Sequence, residues 1–228
     1  TVSASNIYNN FRSGLWLISS SNNTFTNFRS YSNTGGGNIT GIDMGSSSNN
    51  NIVSNCYTYL NNRGIEVEGN SIGNIVTNCN SYNNTDAGII FFNAAQNNIV
   101  KGNNIYRNTF GIYILTSNNN TVAGNRNYNN TSNGITLNTA AANMFVGNSN
   151  YSNSQGINFL SSGTSNNNTF VGNSSYSNTN YGLIVQSSTA STNNLFVNDN
   201  YGGSGNNTVS DINISNVAHT LRLFNTTL

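Results

Sequence analysis

Proline is absent from the 228 residues, and charge is scarce, with seven Lys+Arg against six Asp+Glu and a net charge of +1. There is a single His and a single Trp, with two Cys. Each shortage excludes something. Seven cations spread over the whole chain are too few for a nucleic-acid-binding face. One His and two Cys make a poor metal site, and no His/Met/Cys cluster suits copper, so no metal or cofactor is expected. Apolar runs end as short as Leu15-Trp16-Leu17-Ile18 and Ile89-Ile90-Phe91-Phe92, so no membrane span is expected. No signal peptide is visible and the first residue is Thr1, which reads as a processed product or a fragment. A chain only 35% hydrophobic could stay disordered. Disordered chains, however, usually carry high net charge and few aromatics, and this one has 12 Tyr and 11 Phe.

What is abundant is asparagine, 55 residues of it, and it is periodic. A motif Asn-Asn-(Thr/Ile)-(Val/Phe) returns with its last residue at Phe25, Val53, Val76, Val100, Val122, Phe145, Phe170 and Phe196, and Val2 starts the series. Successive intervals run from 22 to 28 residues. Six residues after each of the first eight markers stands a Tyr, from Tyr8 to Tyr176, and two residues later an Asn, from Asn10 to Asn178. A Gly-(Ile/Leu)-x-apolar step follows, as at Gly64, Gly111 and Gly134. Fixed offsets repeated this often define a structural repeat.

Within the Gly step apolar residues alternate, Ile65 and Val67 around Glu66, Ile112 and Ile114 around Tyr113. That is the period of a strand with one buried face. Each repeat reads as two or three short strands joined by Asn/Gly/Ser corners that tolerate left-handed backbone. Strands recurring at this interval without hairpin spacing predict a coil that climbs one strand spacing per turn. The fold expected is all-β, a single-domain right-handed parallel β-helix of about nine coils spanning 1–208, roughly 40–45 Å long. Residues 209–228 are expected to form a strand-like segment, through Ile212, Ile214, Val217, Leu221 and Leu223, that closes the rod or pairs with a next subunit. Stacked corner Asn residues should bond amide to amide as ladders. One runs through the Tyr-x-Asn positions and a second through Asn103, Asn125, Asn148 and Asn173.

Runs such as Asn119-Asn120-Thr121-Val122-Ala123-Gly124-Asn125 and Asn133-Gly134-Ile135-Thr136-Leu137 resemble the right-handed parallel β-helix repeat of NosD-type proteins. They also resemble the Asn-rich β-solenoid surface and sheath proteins of methanogens. The resemblance covers roughly residues 1–200 and implies the fold; the same repeat serves lyases, hydrolases, adhesins and envelope structures, so it implies function poorly.

The acidic residues come closest to an active site. Asp43 and Glu66 each lie two residues after their repeat Gly in consecutive coils, on the outward alternate, with Glu68 one pleat further. Carboxylates one strand spacing apart suit a retaining glycosidase or a Ca²⁺ site, or are simply an exposed charged spot. Arg63 could neutralise them, and Trp16 and Tyr113 fall in the same register as sugar platforms. Against catalysis, coil lengths are uniform, and the largest insertion, around Thr34-Gly35-Gly36-Gly37-Asn38, carries no titratable group. His219 lies in the tail, where a structural role is expected rather than a general base.

Cys56 and Cys79 occupy one ladder register in adjacent coils, 23 residues apart, which makes them a disulfide candidate. A reduced step and an intermolecular bond are the alternatives. A disulfide would fit an extracellular setting. The Tyr register is a continuous stripe. Alternation from the corner Asn turns it outward as a sugar platform or docking face, but the polar residue before each Tyr would leave that wall of the core poor in apolar area. Inward packing is therefore expected. Missing charge, missing Pro and an uncapped first coil favour a secreted, non-enzymatic structural protein of an envelope, sheath or filament, polymerising head-to-tail with itself and meeting cell-surface glycans. The alternative is a carbohydrate-binding or polysaccharide-cleaving protein using Asp43, Glu66 and Glu68.

Overall fold

The structure, a computed structural model, describes residues 1–160, 162–186, 190–202, 205–215 and 219–227. Among these residues there is no helix, and the strands form three parallel sheets wound as a β-solenoid of about nine coils. We call the sheets A, B and C in the order the chain meets them. One full coil shows the plan, with Ile75–Thr77 in sheet A, Asn80–Tyr82 in sheet B and Ala87–Phe92 in sheet C. The marker residues stack in register (Val53, Val76, Val100, Val122), as do Tyr59, Tyr82 and Tyr106. Beyond residue 208 the chain keeps climbing: Ser210–Ile214 pairs with Tyr181–Val185 in sheet C, and Leu221–Phe224 with Asn194–Val197 in sheet A. Val217, expected in this segment, lies outside the described residues.

The interior is filled from two walls. Sheet A supplies Val53, Val100, Phe145 and Phe170, and sheet C supplies Ile65 with Val67 and Ile112 with Ile114, all fully buried. Sheet B turns mostly small polar side chains inward: Ser30, Thr58, Ser81, Asn150 and Ser175 are 0% exposed, with Ile105 and, in the last coil, Tyr201 as the larger inward residues. The reason is close approach to the glycines that open the sheet C strands. A Cβ on Gly64 or Gly156 would overlap the Ser81 or Ser175 hydroxyl. These glycines have no positive φ, so the repeat Gly is a space requirement rather than a turn. The buried hydroxyls are satisfied locally, Ser81 Oγ donating to Gly88 O and Ser175 Oγ to Gly182 O, each at 2.7 Å.

The inward expectation for the tyrosines is therefore corrected. Tyr31, Tyr82 and Tyr128 lie on the outer side of sheet B, half-buried only by one another.

Each of the three corners carries an Asn ladder. In one coil a left-handed residue precedes each rung: Asn119 (φ 58) before Asn120, Gly124 (φ 61) before Asn125, and Asn129 (φ 54) before Asn130. That conformation is cheap only for Gly and Asn-like residues. At each rung the backbone amide and Nδ2 both donate to the Oδ1 one coil ahead. Asn125 does so to Asn148 at 3.0 Å twice, and Asn130 to Asn153 at 3.0 Å twice. The third ladder, through Asn98, Asn120 and Asn143, uses the second Asn of the marker motif and went unread in the sequence. Individual bonds contribute about 1 kcal/mol net, but unmade buried ones cost more, so the ladders fix the corner geometry.

Candidate functional site

The outer face of sheet C carries the alternates the interior does not take. Trp16, Asp43, Glu66, Ile90 and Tyr113 stack one coil apart in a single register. Asp43 and Glu66 are direct partners, so their α-carbons are ~4.8 Å apart. Glu68 turns to the same side. Gly45 leaves room for the group: a Cβ there would stand 3.0 Å from Glu68 Oε1 and 3.1 Å from Asp43 Oδ1. These two carboxylates thus converge over a bare stretch of backbone.

Arg63 supports the cluster from the start of its strand. Its Nη1 donates to Glu66 Oε1 at 2.5 Å and its Nε to Asp86 Oδ2 at 3.0 Å, and the guanidinium lies 5.7 Å from the Phe92 ring centre. Glu66 is 3% exposed, and burial pushes its carboxyl up to about 7 against the pull of Arg63. Asp43 is pushed up to about 8, first by burial and then by repulsion from Glu66 and Glu68. Its Oδ1 is enclosed and has no hydrogen-bond partner. At neutral pH the protonated form of Asp43 is therefore favoured, with Glu68 beside it.

Asp43 also forms the floor of a cavity of about 260 Å³ walled by Phe11, Arg12, Trp16, Asn38 and Ile39. Arg12 lies 5.5 Å over the Trp16 ring, and Phe11 is 80% exposed at the rim. The Gly-rich insertion after Thr34 builds one wall. It lies flat there because Gly35 packs on the Phe11 carbonyl, where a Cβ would overlap. Sequence reasoning weighed this insertion against a cleft for want of titratable groups. Its signal was position: the 28-residue interval from Phe25 to Val53 is the coil that contains Asp43. Phe11, Arg12 and Asp86 were missed as well.

Other expected residues fall as follows. Tyr113 stands two coils beyond Glu66, resting on Phe110 at 5.1 Å with its hydroxyl accepting from Asn138 at 3.3 Å, so it does not adjoin Asp43 as Trp16 does. Among the described residues no group of three or more His/Cys/Asp/Glu side chains is arranged to hold a metal ion. His219 Nδ1 accepts the Ser191 amide at 2.9 Å and ends a corner ladder. Cys56 and Cys79 are joined as a disulfide with α-carbons 4.5 Å apart, and the Cys79 amide donates to Asn103 Oδ1 at 2.8 Å. No helix among the described residues is long and apolar enough to cross a membrane.

The profile of the family described as "Right handed beta helix region" matches residues 1–150 and 73–201. The chain belongs to this family. Whether it is NosD-type or of the methanogen surface group is a finer division than the match makes. Among solved structures, this β-helix is similar to the periplasmic alginate epimerase AlgG, with 20% identity, 93% of this chain and 50% of that one covered, and a TM-score of 0.65. It is similar to the A-module of the Azotobacter vinelandii mannuronan C-5 epimerase AlgE6, at 17% identity, 91% and 58% coverage and a TM-score of 0.75. It is also similar to the DFA-IIIase of Arthrobacter chlorophenolicus A6, at 12% identity, 88% and 54% coverage and a TM-score of 0.65. At these identities the likeness is one of fold, and the chain spans about half the length of these structures. No curated protein matches. The expectation of a non-enzymatic structural chain is corrected here: the β-helix fold is one that this chain shares with epimerases and a DFA-IIIase. The sheath and filament role has no support from these matches.

Proposed function

We propose that this β-helix protein acts on a polysaccharide at the outer face of sheet C, with Asp43 as proton donor and Glu68 as the facing carboxylate. The observation that carries the reading is Asp43 itself, a carboxyl held protonated at the floor of a cavity walled by Trp16. Glycosidic bond cleavage needs an acid for the leaving oxygen and a carboxylate for the sugar carbon or its attacking water. Asp43 supplies the first and Glu68 the second. Glu66, buried and paired to Arg63, is a positioning residue: its negative charge helps keep the proton on Asp43. Trp16, one coil from Asp43, offers an apolar ring to a sugar face. The solved structures named above support the choice of substrate class, since two of them are named as an alginate epimerase and a mannuronan C-5 epimerase. The Cys56–Cys79 disulfide supports an exported setting.

The test is turnover on a panel of acidic and neutral polysaccharides. Asp43→Asn and Glu68→Gln should each lower kcat about 10²–10⁴-fold while leaving the far-ultraviolet circular dichroism unchanged. Turnover should decline as pH rises through about 8, where Asp43 loses its proton. Full activity in Asp43→Asn refutes the assignment.

A further inference from the structure

A second surface lies on sheet B, away from the carboxylates. The eight tyrosines from Tyr8 to Tyr176 form an unbroken stack, with ring centres 4.8–5.3 Å apart and planes within 12° of one another. Beside it runs a second outward register, Asn6, Arg29, Tyr57, Asn80, Asn104 and Arg126. Arg126 Nη2 donates to the Tyr151 hydroxyl at 3.2 Å, and Arg29 lies 5.4 Å over the Tyr57 ring. Arg107, at the corner after Tyr106, and Lys101, at the end of its sheet A strand, are exposed on either side. At the corner between sheets A and B, Asn6, Arg29, Tyr57 and Asn80 border a groove of about 440 Å³.

Charge is segregated between the faces. Asp43, Glu66 and Glu68 stand on sheet C, and Asp86 pairs with Arg63 there. Asp199 is buried. Among the described residues no acidic side chain stands on the outer face of sheet B, while Arg29, Arg107 and Arg126 do stand along the tyrosine row. Such a face attracts a polyanion and repels nothing in it.

The stack also limits the occupant. Every internal ring has both faces covered by its neighbours, so neither a base nor a sugar can stack on it. What remains is a comb of phenol edges and hydroxyls at one per coil. That favours a polymer bearing a hydroxyl or carboxylate at each short repeat over one that must insert planar bases. We propose that sheet B is a binding track for an extended anionic polysaccharide lying parallel to the rod axis. Its acid groups pair with Arg29 and Arg126 and its hydroxyls bond the tyrosine comb and the flanking Asn amides. The track holds the polymer on a face separate from Asp43, so it can tether a chain whose other segment is processed. The proposal rests on the polysaccharide reading only for its choice of polymer.

The two arginines are four coils apart, ~19 Å, so only a ligand of several sugars reaches both. The experiment is binding of polyuronate oligomers of graded length, of neutral β-glucan and of single-stranded DNA to the whole chain, by calorimetry or affinity electrophoresis. Affinity for the polyuronate should climb steeply once the oligomer exceeds about four sugars and should weaken with added salt. Arg29→Ala/Arg126→Ala should lose about tenfold. Tyr106→Phe/Tyr128→Phe, which keeps the stack, should lose about fivefold. Turnover by Asp43→Asn, measured in parallel, reports on the carboxylate site alone, so a failed catalytic assignment and a failed track are told apart. The track is overturned if no polyuronate binds, if β-glucan or DNA binds as well as polyuronate, or if the arginine variant, folded by circular dichroism, binds like wild type.

Discussion

Asp199 is the most informative residue to perturb. It stands three residues after the marker Phe196, as Asn103, Asn125, Asn148 and Asn173 stand after theirs, and so closes their ladder with an acid in place of an amide. Asn173 donates to its Oδ1 from the backbone at 2.6 Å and from Nδ2 at 2.9 Å, as in any other rung. The other oxygen is the misfit. In the preceding rungs Nδ2 donates back to the marker carbonyl one coil behind, Asn148 to Val122 O at 2.8 Å and Asn173 to Phe145 O at 3.1 Å. Asp199 Oδ2 takes that place, buried and without a partner. An ionised carboxylate has no donor to give, whereas a protonated one restores the pattern. Burial accordingly pushes Asp199 up to about 6, the Asn173 bonds pulling the other way. Because the folded-state value is raised, the stability that this residue contributes is full below about pH 4. It is lost as pH rises to about 6, and the loss is complete above that. A rise of two units corresponds to just under 3 kcal/mol, and partial screening reduces this to about 2 kcal/mol. Asp199→Asn carries its donor at every pH. At pH 8 it should unfold about 4–8 °C higher than wild type, and at pH 4 the two should coincide. Thermal unfolding by circular dichroism at both pH values measures this directly, and the titrations of Asp43 and Glu66 cancel in the difference. A variant no more stable than wild type at pH 8, or one with the same advantage at pH 4, would falsify the ladder argument.

Three further outcomes test the packing. Gly156→Ala drives a Cβ into the Ser175 hydroxyl and within 2.6 Å of Gly182 O, and should cost about 2–4 kcal/mol in denaturant unfolding. Gly36→Ala, with nothing within 4 Å, should be neutral, and equal effects would contradict the space argument. Asn125→Ala removes a side chain that donates to Val100 O and Asn148 Oδ1, each at 3.0 Å, and accepts from Asn103. It should cost about 3 kcal/mol, several times an exposed Asn→Ala change. Replacing Cys56 and Cys79 by Ser opens a loop of 23 residues and should lower stability by about 3 kcal/mol under non-reducing conditions; a melting point insensitive to reductant would show that the pair is not oxidised.

Much of this molecule was legible in one dimension because its neighbours are vertical. In a solenoid the residue above Val76 is Val100 and the residue above Tyr82 is Tyr106, so a constant offset in the chain is a contact in space. The coil period, two of the three ladders, the pairing of Cys56 with Cys79 and the adjacency of Asp43 to Glu66 all follow from that offset. What lies across the coil does not, since it depends on the shape of the cross-section. The tyrosines face outward because the sheet C glycines bring backbone against sheet B, a distance no offset encodes. The insertion after Thr34 becomes a cavity wall only when folded onto Phe11 beside Trp16. The carboxyl of Asp43 keeps its proton because Glu66, Glu68 and that wall surround it together. Periodicity along the axis was written in the sequence; burial, the separation of charge between faces and the chemistry of the carboxylates came from closing the coil, because only closure sets which walls meet.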